Sequence, residues 1–292
     1  MNKLPLAKRA QIFTLLCEGM SMRSIERAVG CSINTVDKLL RDAGGAALAY
    51  HDEHVRGVKA HRVQCDEIWS FVHAKAKNVA KAEAAPANVG DCWTWTAIEA
   101  DSKLLISYLV GGRDAEFALM LMADLRGRLA NRVQLTTDGH AAYLQAVEEA
   151  FGADIDYSVL IKLYGAPPAP PEAARRYSRS ECVGTRKDKV TGNPDPKHVS
   201  TSYVERANLT MRMTMRRFTR LTNAFSKKLE SHAHMVALYA LWYNFVRVHK
   251  SLHTTPAMAA SIETRLWSME DIVRLIEQRE EIRSGAALGR MS

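Results

Sequence analysis

Residues 64–72, QCDEIWSFV, contain two adjacent carboxylates, Asp66 and Glu67, within a run of strand-forming residues. An ionised carboxylate that is buried without a partner is costly, so these acids should reach water near a strand end or face a metal or a base. Because successive strand residues face opposite sides of a sheet, we expect only one of the two to serve a given site. The partners of that carboxylate must come from other parts of the chain.

The overall composition is that of a folded protein with a polyanionic partner. The chain has 292 residues, of which 47% are hydrophobic and 25% charged, and its net charge is +8. No apolar stretch approaches the length of a membrane span and the first residues lack a signal-peptide core, so we expect a cytoplasmic, nucleoid-associated protein without membrane contact. Five cysteines without C-x-x-C spacing predict reduced thiols rather than disulfides or structural zinc.

Residues 1–45 predict an all-α helix-turn-helix DNA-binding domain. Three short helical patterns are separated by Gly19 and Gly30, and Ser21 and Ser32 are suitable N-caps for the second and third helices. A helix, a short turn containing glycine and a second helix are typical of this module. The third helix would present these polar side chains to a major groove: Asn34, Thr35, Lys38 and Arg41. A generic three-helix bundle with a solvated polar face is the alternative.

The order of predicted elements in residues 61–250 indicates a ribonuclease H-like catalytic domain. After a linker at residues 46–60, the predicted order is three antiparallel strands, a helix, a strand, a helix and a fifth strand. This order matches the ribonuclease H-like α/β fold, in which helices flank a mixed five-stranded sheet. The proline-rich and then basic stretch at residues 167–198 predicts a long loop or insertion. A long helix follows from about Thr201, and residues 251–292 are predicted to form a C-terminal helical tail.

Three acids from separate elements are candidates for one metal site. Asp66 lies in the first strand, Asp138 ends the fourth, and Glu205 lies in the first turn of the helix after Thr201. Mg²⁺ prefers oxygen ligands, and two such ions roughly 3.5–4 Å apart can stabilise both oxygens of an in-line displacement at phosphorus. Without cations the carboxylates would raise one another's pKa. Taken singly, Asp138 fits turn chemistry and Glu205 fits compensation of the helix dipole.

The block KHVSTSYVERANLTMRMTMRRFTRLTNAFSKKLESH, residues 197–232, resembles the catalytic helix of DDE transposases from bacterial insertion sequences. It is most similar to small transposases of the first-described insertion-sequence family, which share E-R-x-N-L-x-x-R followed by R-x-T-x-x-F-S. DEIWSFV at 66–72 and TTDGHAAY at 136–143 resemble the first and second acidic strands of that family. The resemblance extends over most of residues 62–260.

The resemblance implies a homo-oligomeric enzyme that binds inverted-repeat ends and target DNA and uses Mg²⁺, with Mn²⁺ as a substitute. It implies that Asp66, Asp138 and Glu205 form the catalytic, metal-binding triad. Arg212 matches the basic residue two helical turns beyond the glutamate, and Asn208 matches the asparagine of the family.

Positive charge is concentrated after Glu205, since residues 206–228 include seven basic residues and no acidic one. On a continuous helix, Glu205 would share one face with Asn208, Arg212 and Arg216, and a basic row leaving a metal site suits a phosphate backbone. The residues predicted to contact DNA here are Asn208, Arg212, Arg216, Arg217 and Arg220. A solvated helix face is the alternative.

Two other functions remain open from the sequence. One is a sequence-specific DNA-binding regulator derived from a transposase, which predicts a degraded triad, whereas all three acids are present. The other is a ribonuclease H-like nuclease, which would not need the N-terminal DNA-binding domain. A DNA transposase that performs metal-dependent cleavage and strand transfer is the favoured function.

Overall fold

The centre of the fold is strand β1 (Arg62–Val72), which pairs antiparallel with β2 on one side and parallel with β4 on the other. The computed structural model describes residues 3–81, 89–165, 182–219 and 223–288. Its strand order is β3-β2-β1-β4-β5-β6, in which β2–β3 and β5–β6 are antiparallel and β4–β5 are parallel. The remaining strands are β2 (Gly90–Glu99), β3 (Leu105–Gly111), β4 (Gln134–Thr137), β5 (Asp156–Tyr164) and β6 (Cys182–Thr191). The first five have the order and directions of the ribonuclease H-like fold.

Helices precede, flank and follow the sheet. They are α1 (Leu6–Cys17), α2 (Met22–Val29), α3 (Ile33–His54), α4 (Ala76–Val79), α5 (Ala115–Arg128), α6 (Ala142–Phe151), α7 (Ser202–Thr214), α8 (Leu229–Leu241), α9 (Pro256–Ala259) and α10 (Met269–Leu288). The predicted N-caps of the N-terminal module are confirmed, because Ser21 accepts a hydrogen bond from the Ser24 amide and Ser32 from the Asn34 amide. Asp114 caps α5 in the same way.

The two faces of the sheet carry different helices, and neighbouring residues of β2 identify them. Trp95 packs its ring against Tyr143 of α6, with centroids 5.4 Å apart. The next residue, Thr96, donates a hydrogen bond to Asn208 of α7. Because successive strand residues face opposite sides, α6 and α7 lie on opposite faces of the sheet.

The sheet has six strands, so the prediction of five is incomplete. The sixth, β6, lies inside residues 167–198, which were predicted as a loop, and pairs antiparallel with β5. Its side chains are mostly exposed and include Arg186, Lys187 and Lys189, as is common on edge strands. Such a strand has no buried face, so it lacks the apolar alternation that predicts strands. Residues 167–181 of this stretch lie outside the described part of the chain.

The predicted linker at residues 46–60 is also partly wrong, because α3 continues to His54. Gly44 and Gly45 should weaken this helix, but packing against α8 compensates for them. A Cβ added at Gly44 would lie only 2.4 Å from the Cβ of His234. Glycine therefore lets the backbones of α3 and α8 approach closely, and the N-terminal helices share one hydrophobic core with the sheet.

The two adjacent glycines provide a matched test of this packing. Gly44→Ala should lower the free energy of unfolding by about 1–3 kcal/mol, because the new methyl group overlaps His234. Gly45→Ala should raise it by about 0.5–1 kcal/mol, because nothing lies within 4 Å of the added Cβ and alanine favours the helix. Urea unfolding followed by circular dichroism measures both changes, and equal effects would contradict close α3–α8 packing.

The C-terminal helix α10 packs on α1 and α3 of the same chain. Ion pairs join Arg9 to Glu277 at 2.7 Å and Arg279 to Glu53 at 2.7 Å. In this way the charged C-terminal helix supports the N-terminal module of its own chain. The five cysteines are free thiols in this structure. No helix in the described part of the chain has both the length and the apolar character needed to cross a membrane.

Candidate active site

The site lies where β4 ends beside the middle of β1. The last residue pair between these strands is Cys65 with Thr137, whereas β2 continues to pair with β1 as far as Val72. Asp138 is the first residue beyond β4. Asp66, Glu67 and Asp138 can each offer one carboxylate oxygen, and these three oxygens all lie within 4.8 Å of one another. We call these three residues the acidic cluster.

The prediction that Asp66 and Glu67 cannot serve the same site is wrong. Asp66 pairs with Thr96 and so lies on the α7 face, and Glu67 pairs with Trp95 and so lies on the α6 face. Their side chains do leave opposite faces of β1, but β4 stops beside them. At this open end of β4, Asp138 can be approached from both faces, and the two carboxylates converge on it.

Burial and mutual repulsion disturb the acidity of the cluster. Burial raises the pKa of Asp66 to about 6, with further contributions from the negative charges of Asp138 and Glu205, while a hydrogen bond from Asn208 opposes the rise. Burial also raises the pKa of Glu67 to about 8, and the charge of Asp138 adds to it, although Arg113 opposes it. The ionised cluster therefore lacks sufficient compensating positive charge.

Glu67 shows this lack of compensation most directly. Its side chain is 2% exposed, and the nearest cation is the Arg113 guanidinium, 3.7 Å from Oε2. Within the described residues its other oxygen, Oε1, is buried without a hydrogen-bond partner. An orphaned carboxylate oxygen beside two other carboxylates fits a divalent cation. The donor set is entirely oxygen, which suits Mg²⁺ or Mn²⁺.

Asn208 holds Asp66 in position from α7. Its Nδ2 donates a hydrogen bond to Asp66 Oδ2 at 2.9 Å, and its Oδ1 accepts one from Thr96 Oγ1 at 2.9 Å. The side chain is only 2% exposed. In this structure both ends of the Asn208 amide are engaged inside the protein, and its contact with DNA stays a prediction.

Removing the Asn208 amide should weaken cation binding without touching a ligand. We expect Asn208→Ala to weaken Mn²⁺ binding by about 10-fold or more, because groups that orient metal ligands typically contribute that much. Thr210→Ala on the same helix is the control, since the Thr210 hydroxyl donates a hydrogen bond to the Arg206 carbonyl of its own helix and lies outside the acidic cluster. Titration calorimetry with Mn²⁺ and no DNA measures both, and equal affinities would contradict the positioning role.

Glu205 lies beside the acidic cluster but does not belong to it. Its Oε1 accepts hydrogen bonds from Lys162 Nζ and Thr201 Oγ1, each at 2.5 Å. It is near enough to raise the pKa of Asp66. The helix that carries it is anchored to β1, because Gln64 Oε1 accepts hydrogen bonds from the Tyr203 and Val204 amides at its first turn. Of the three acids expected from the sequence, the structure brings Asp66 and Asp138 together and pairs Glu205 with Lys162.

The polar residues predicted for major-groove contact lie at the start of α3. Asn34, Lys38 and Arg41 are exposed and Thr35 is half-buried. The two basic residues of this set each face an acid of their own helix: Lys38 pairs with Asp42 at 2.5 Å, and Arg41 lies 3.2 Å from Asp37. These intrahelical pairs are exposed, so they are weak and can be exchanged for phosphate contacts.

The predicted basic face does not run along one continuous helix. Helix α7 ends at Thr214, and a 3-10 turn at Arg216–Phe218 follows it. The cause is packing, since Met215 and Phe218 are buried and turn the chain towards the core. Arg212 is half-buried on α7, Arg216 is exposed and Arg217 is half-buried in the turn. Arg220 lies outside the described residues.

Comparisons with known proteins give structural likenesses only. No protein-family model and no curated protein matches the chain. One similar solved structure is the Mos1 transposase paired-end complex with left transposon end, at 13% identity over 54% of this chain and 60% of that chain, with a TM-score of 0.23. Another is the piggyBac transposase synaptic complex with hairpin DNA, at 10% identity over 94% of this chain and 72% of that chain, with a TM-score of 0.37. At these TM-scores neither likeness identifies a family or an activity.

Proposed function

We propose that the protein is a DNA transposase that binds the ends of an insertion sequence and catalyses metal-dependent DNA cleavage and strand transfer. The observation that supports this most is the acidic cluster at the open end of β4, with carboxylate oxygens within 4.8 Å of one another. The ribonuclease H-like strand order and the motifs around Asp66, Asp138 and Glu205 agree with it. In this proposal residues 1–45 bind the ends of the element, residues 61–250 perform catalysis, and residues 251–292 form a tail that packs against the N-terminal helices.

Asp66, Glu67 and Asp138 would hold the cation, and Glu205 would complete the site from α7. A bound divalent cation supplies Lewis-acid activation of the phosphodiester and of the attacking water or 3′-hydroxyl. Asn208 and Thr96 keep the Asp66 carboxylate in a single orientation. Burial of Glu67 excludes water from its side of the site, which strengthens electrostatic interactions there.

Lys162 has a role of its own in this proposal. Its ammonium group neutralises Glu205 in the DNA-free protein, with Nζ 2.5 Å from Oε1. If Glu205 completed the cation site, Lys162 would lie beside that site without its present partner, and its positive charge would be available to a phosphate of the DNA.

A strand-transfer assay tests the proposal. The DNA flanking the gene supplies candidate ends, which are labelled and incubated with the protein and Mg²⁺ or Mn²⁺, with EDTA as the metal-free control. Joined products that require the metal support a transposase. Cleavage without joining would instead indicate a ribonuclease H-like nuclease. Specific binding with neither cleavage nor joining would indicate a regulator, and either of these results overturns the proposal.

A further inference from the structure

A cleft of about 750 Å³ separates the N-terminal helices from the segment that follows α7. One wall includes Asn34 and Arg41 of α3, and the other is formed by the 3-10 turn and the residues that lead into α8. Among the described residues that line it, the acids are Asp37 and Glu230. The basic residues that line it come from both walls: Arg23, Arg41, Arg216, Arg217, Lys227 and Lys228. This excess of positive charge indicates an anionic occupant.

Among the described basic residues that line this cleft, Arg217 is the least exposed. Its guanidinium is half-buried, and among the described residues no carboxylate oxygen lies within 4.0 Å of it. Its polar contacts are to neutral groups: Nη1 donates a hydrogen bond to Ser226 Oγ at 2.7 Å, and Nη2 lies 3.8 Å from Met22 Sδ. Asp37 acts on this guanidinium only from beyond 4.0 Å, and a cation removed from water without a close counter-ion is costly, so the position favours an external anion.

A buried relay of neutral groups holds Arg217 in place. Ser226 Oγ lies 3.0 Å from His232 Nδ1, and His232 Nε2 lies 3.3 Å from Ser70 Oγ. Ser70 in turn donates a hydrogen bond to the Cys92 carbonyl at 3.2 Å. Ser226, His232 and Ser70 are all nearly inaccessible to solvent. The network anchors the arginine through α8 to the sheet.

The direction of every hydrogen bond in this relay follows from its two ends. Arg217 can only donate, so the Ser226 hydroxyl hydrogen is free to go to His232 Nδ1. His232 then carries its hydrogen on Nε2 and donates to Ser70, which donates to Cys92. All donors are satisfied with His232 neutral, in agreement with its pKa, which burial and then the charge of Arg217 lower to about 3. The relay thus supplies rigidity and no negative charge.

We propose that this cleft binds the phosphate backbone of duplex DNA, with Arg217 as its fixed cation. The cleft would join the two DNA-contacting regions, so that one duplex meets the start of α3 and the turn after α7 of the same protomer. The inference rests on the proposed function only in taking DNA as the ligand, and it requires no catalysis. A duplex is favoured over a small anion because the cations are distributed over both walls, beside the exposed polar face of α3.

Duplex binding measured in EDTA tests the cleft separately from catalysis. A fluorescent mixed-sequence duplex of about 30 base pairs, roughly three helical turns, is titrated at several salt concentrations. Arg217→Gln should weaken binding about 10-fold and reduce the salt slope by about 1, as the loss of one phosphate contact does. Lys59→Gln is the control for charge, because Lys59 is exposed and lies outside the cleft. It should bind like the wild type.

Ser226→Ala tests the anchoring and guards against a folding defect in Arg217→Gln. It leaves every charge in place but frees the guanidinium, so it should weaken duplex binding while the salt slope stays unchanged. Circular dichroism and thermal melting check that each variant folds. If Arg217→Gln does not fold, the duplex affinity of Ser226→Ala alone tests the proposal. The proposal is overturned if the folded cleft variants bind the duplex as tightly as Lys59→Gln. It is equally overturned if inorganic phosphate stabilises the wild type through Arg217 while duplex affinity does not depend on this residue.

Discussion

Glu205→Gln should reduce metal-dependent DNA cleavage and strand transfer by about a thousandfold or more, equivalent to about 4 kcal/mol of transition-state stabilisation. The substitution keeps the size and hydrogen-bonding capacity of the side chain but removes the negative charge that would complete the metal site. Cation binding in the absence of DNA should change little, because Glu205 pairs with Lys162 and lies outside the acidic cluster in the DNA-free protein. Duplex affinity should be unchanged or slightly higher.

Glu116→Gln is the matched control for this prediction. Glu116 is exposed in the first turn of α5, so both substitutions remove a carboxylate from the start of a helix. Rates are measured with labelled DNA ends in Mg²⁺ and in Mn²⁺, and cation affinity is measured by calorimetry. If Glu205→Gln retains metal-dependent cleavage, the role that the motif gives to Glu205 is wrong. If it loses cation binding without DNA, the residue instead belongs to the resting site.

Features with a local cause were predictable from the sequence. The five strands of the ribonuclease H-like order follow from short apolar runs between turns, and the caps at Ser21, Ser32 and Asp114 need only the residues beside them. The meeting of Asp66 and Asp138 was also predictable, since Asp138 follows the end of a strand that pairs in parallel with β1 up to Cys65, the residue before Asp66.

Features that depend on a distant partner were not predictable. Edge strand β6 is stabilised by hydrogen bonds to β5, and its own side chains give no apolar pattern. Helix α7 ends at Thr214 because Met215 and Phe218 are buried in the core just beyond it, although the sequence around Thr214 is compatible with a longer helix. Glu67 joins the acidic cluster because β4 pairs with only four residues of β1, and the length of that pairing is a property of the whole sheet.

Glu67→Gln should remove cation binding even without DNA, and with it metal-dependent cleavage by about a thousandfold. Unlike Glu205, Glu67 already lies within the acidic cluster, and its Oε1 is buried without a partner among the described residues. The matched control is Glu99→Gln. Glu99 is also buried in the sheet, and its Oε1 likewise has no partner among the described residues, but it lies outside the acidic cluster and its Oε2 accepts hydrogen bonds from the Asp101 and Ser102 amides and from the Ser102 hydroxyl. That variant should keep cation affinity.

The same substitution should change how stability depends on pH in the metal-free protein. The folded Glu67 has a pKa of about 8, well above its ordinary value of 4.5, so between these values the folded chain holds a proton that the unfolded chain has released. The free energy of unfolding should therefore fall as pH rises from about 5 to 8, by at most about 1.4 kcal/mol per pH unit from this group.

Glu67→Gln should flatten this slope, and added Mn²⁺ should oppose the loss of stability at higher pH only in protein that retains Glu67. Urea unfolding at several pH values, with and without Mn²⁺, measures both effects. A variant with the wild-type slope and undiminished cation affinity would remove Glu67 from the metal site.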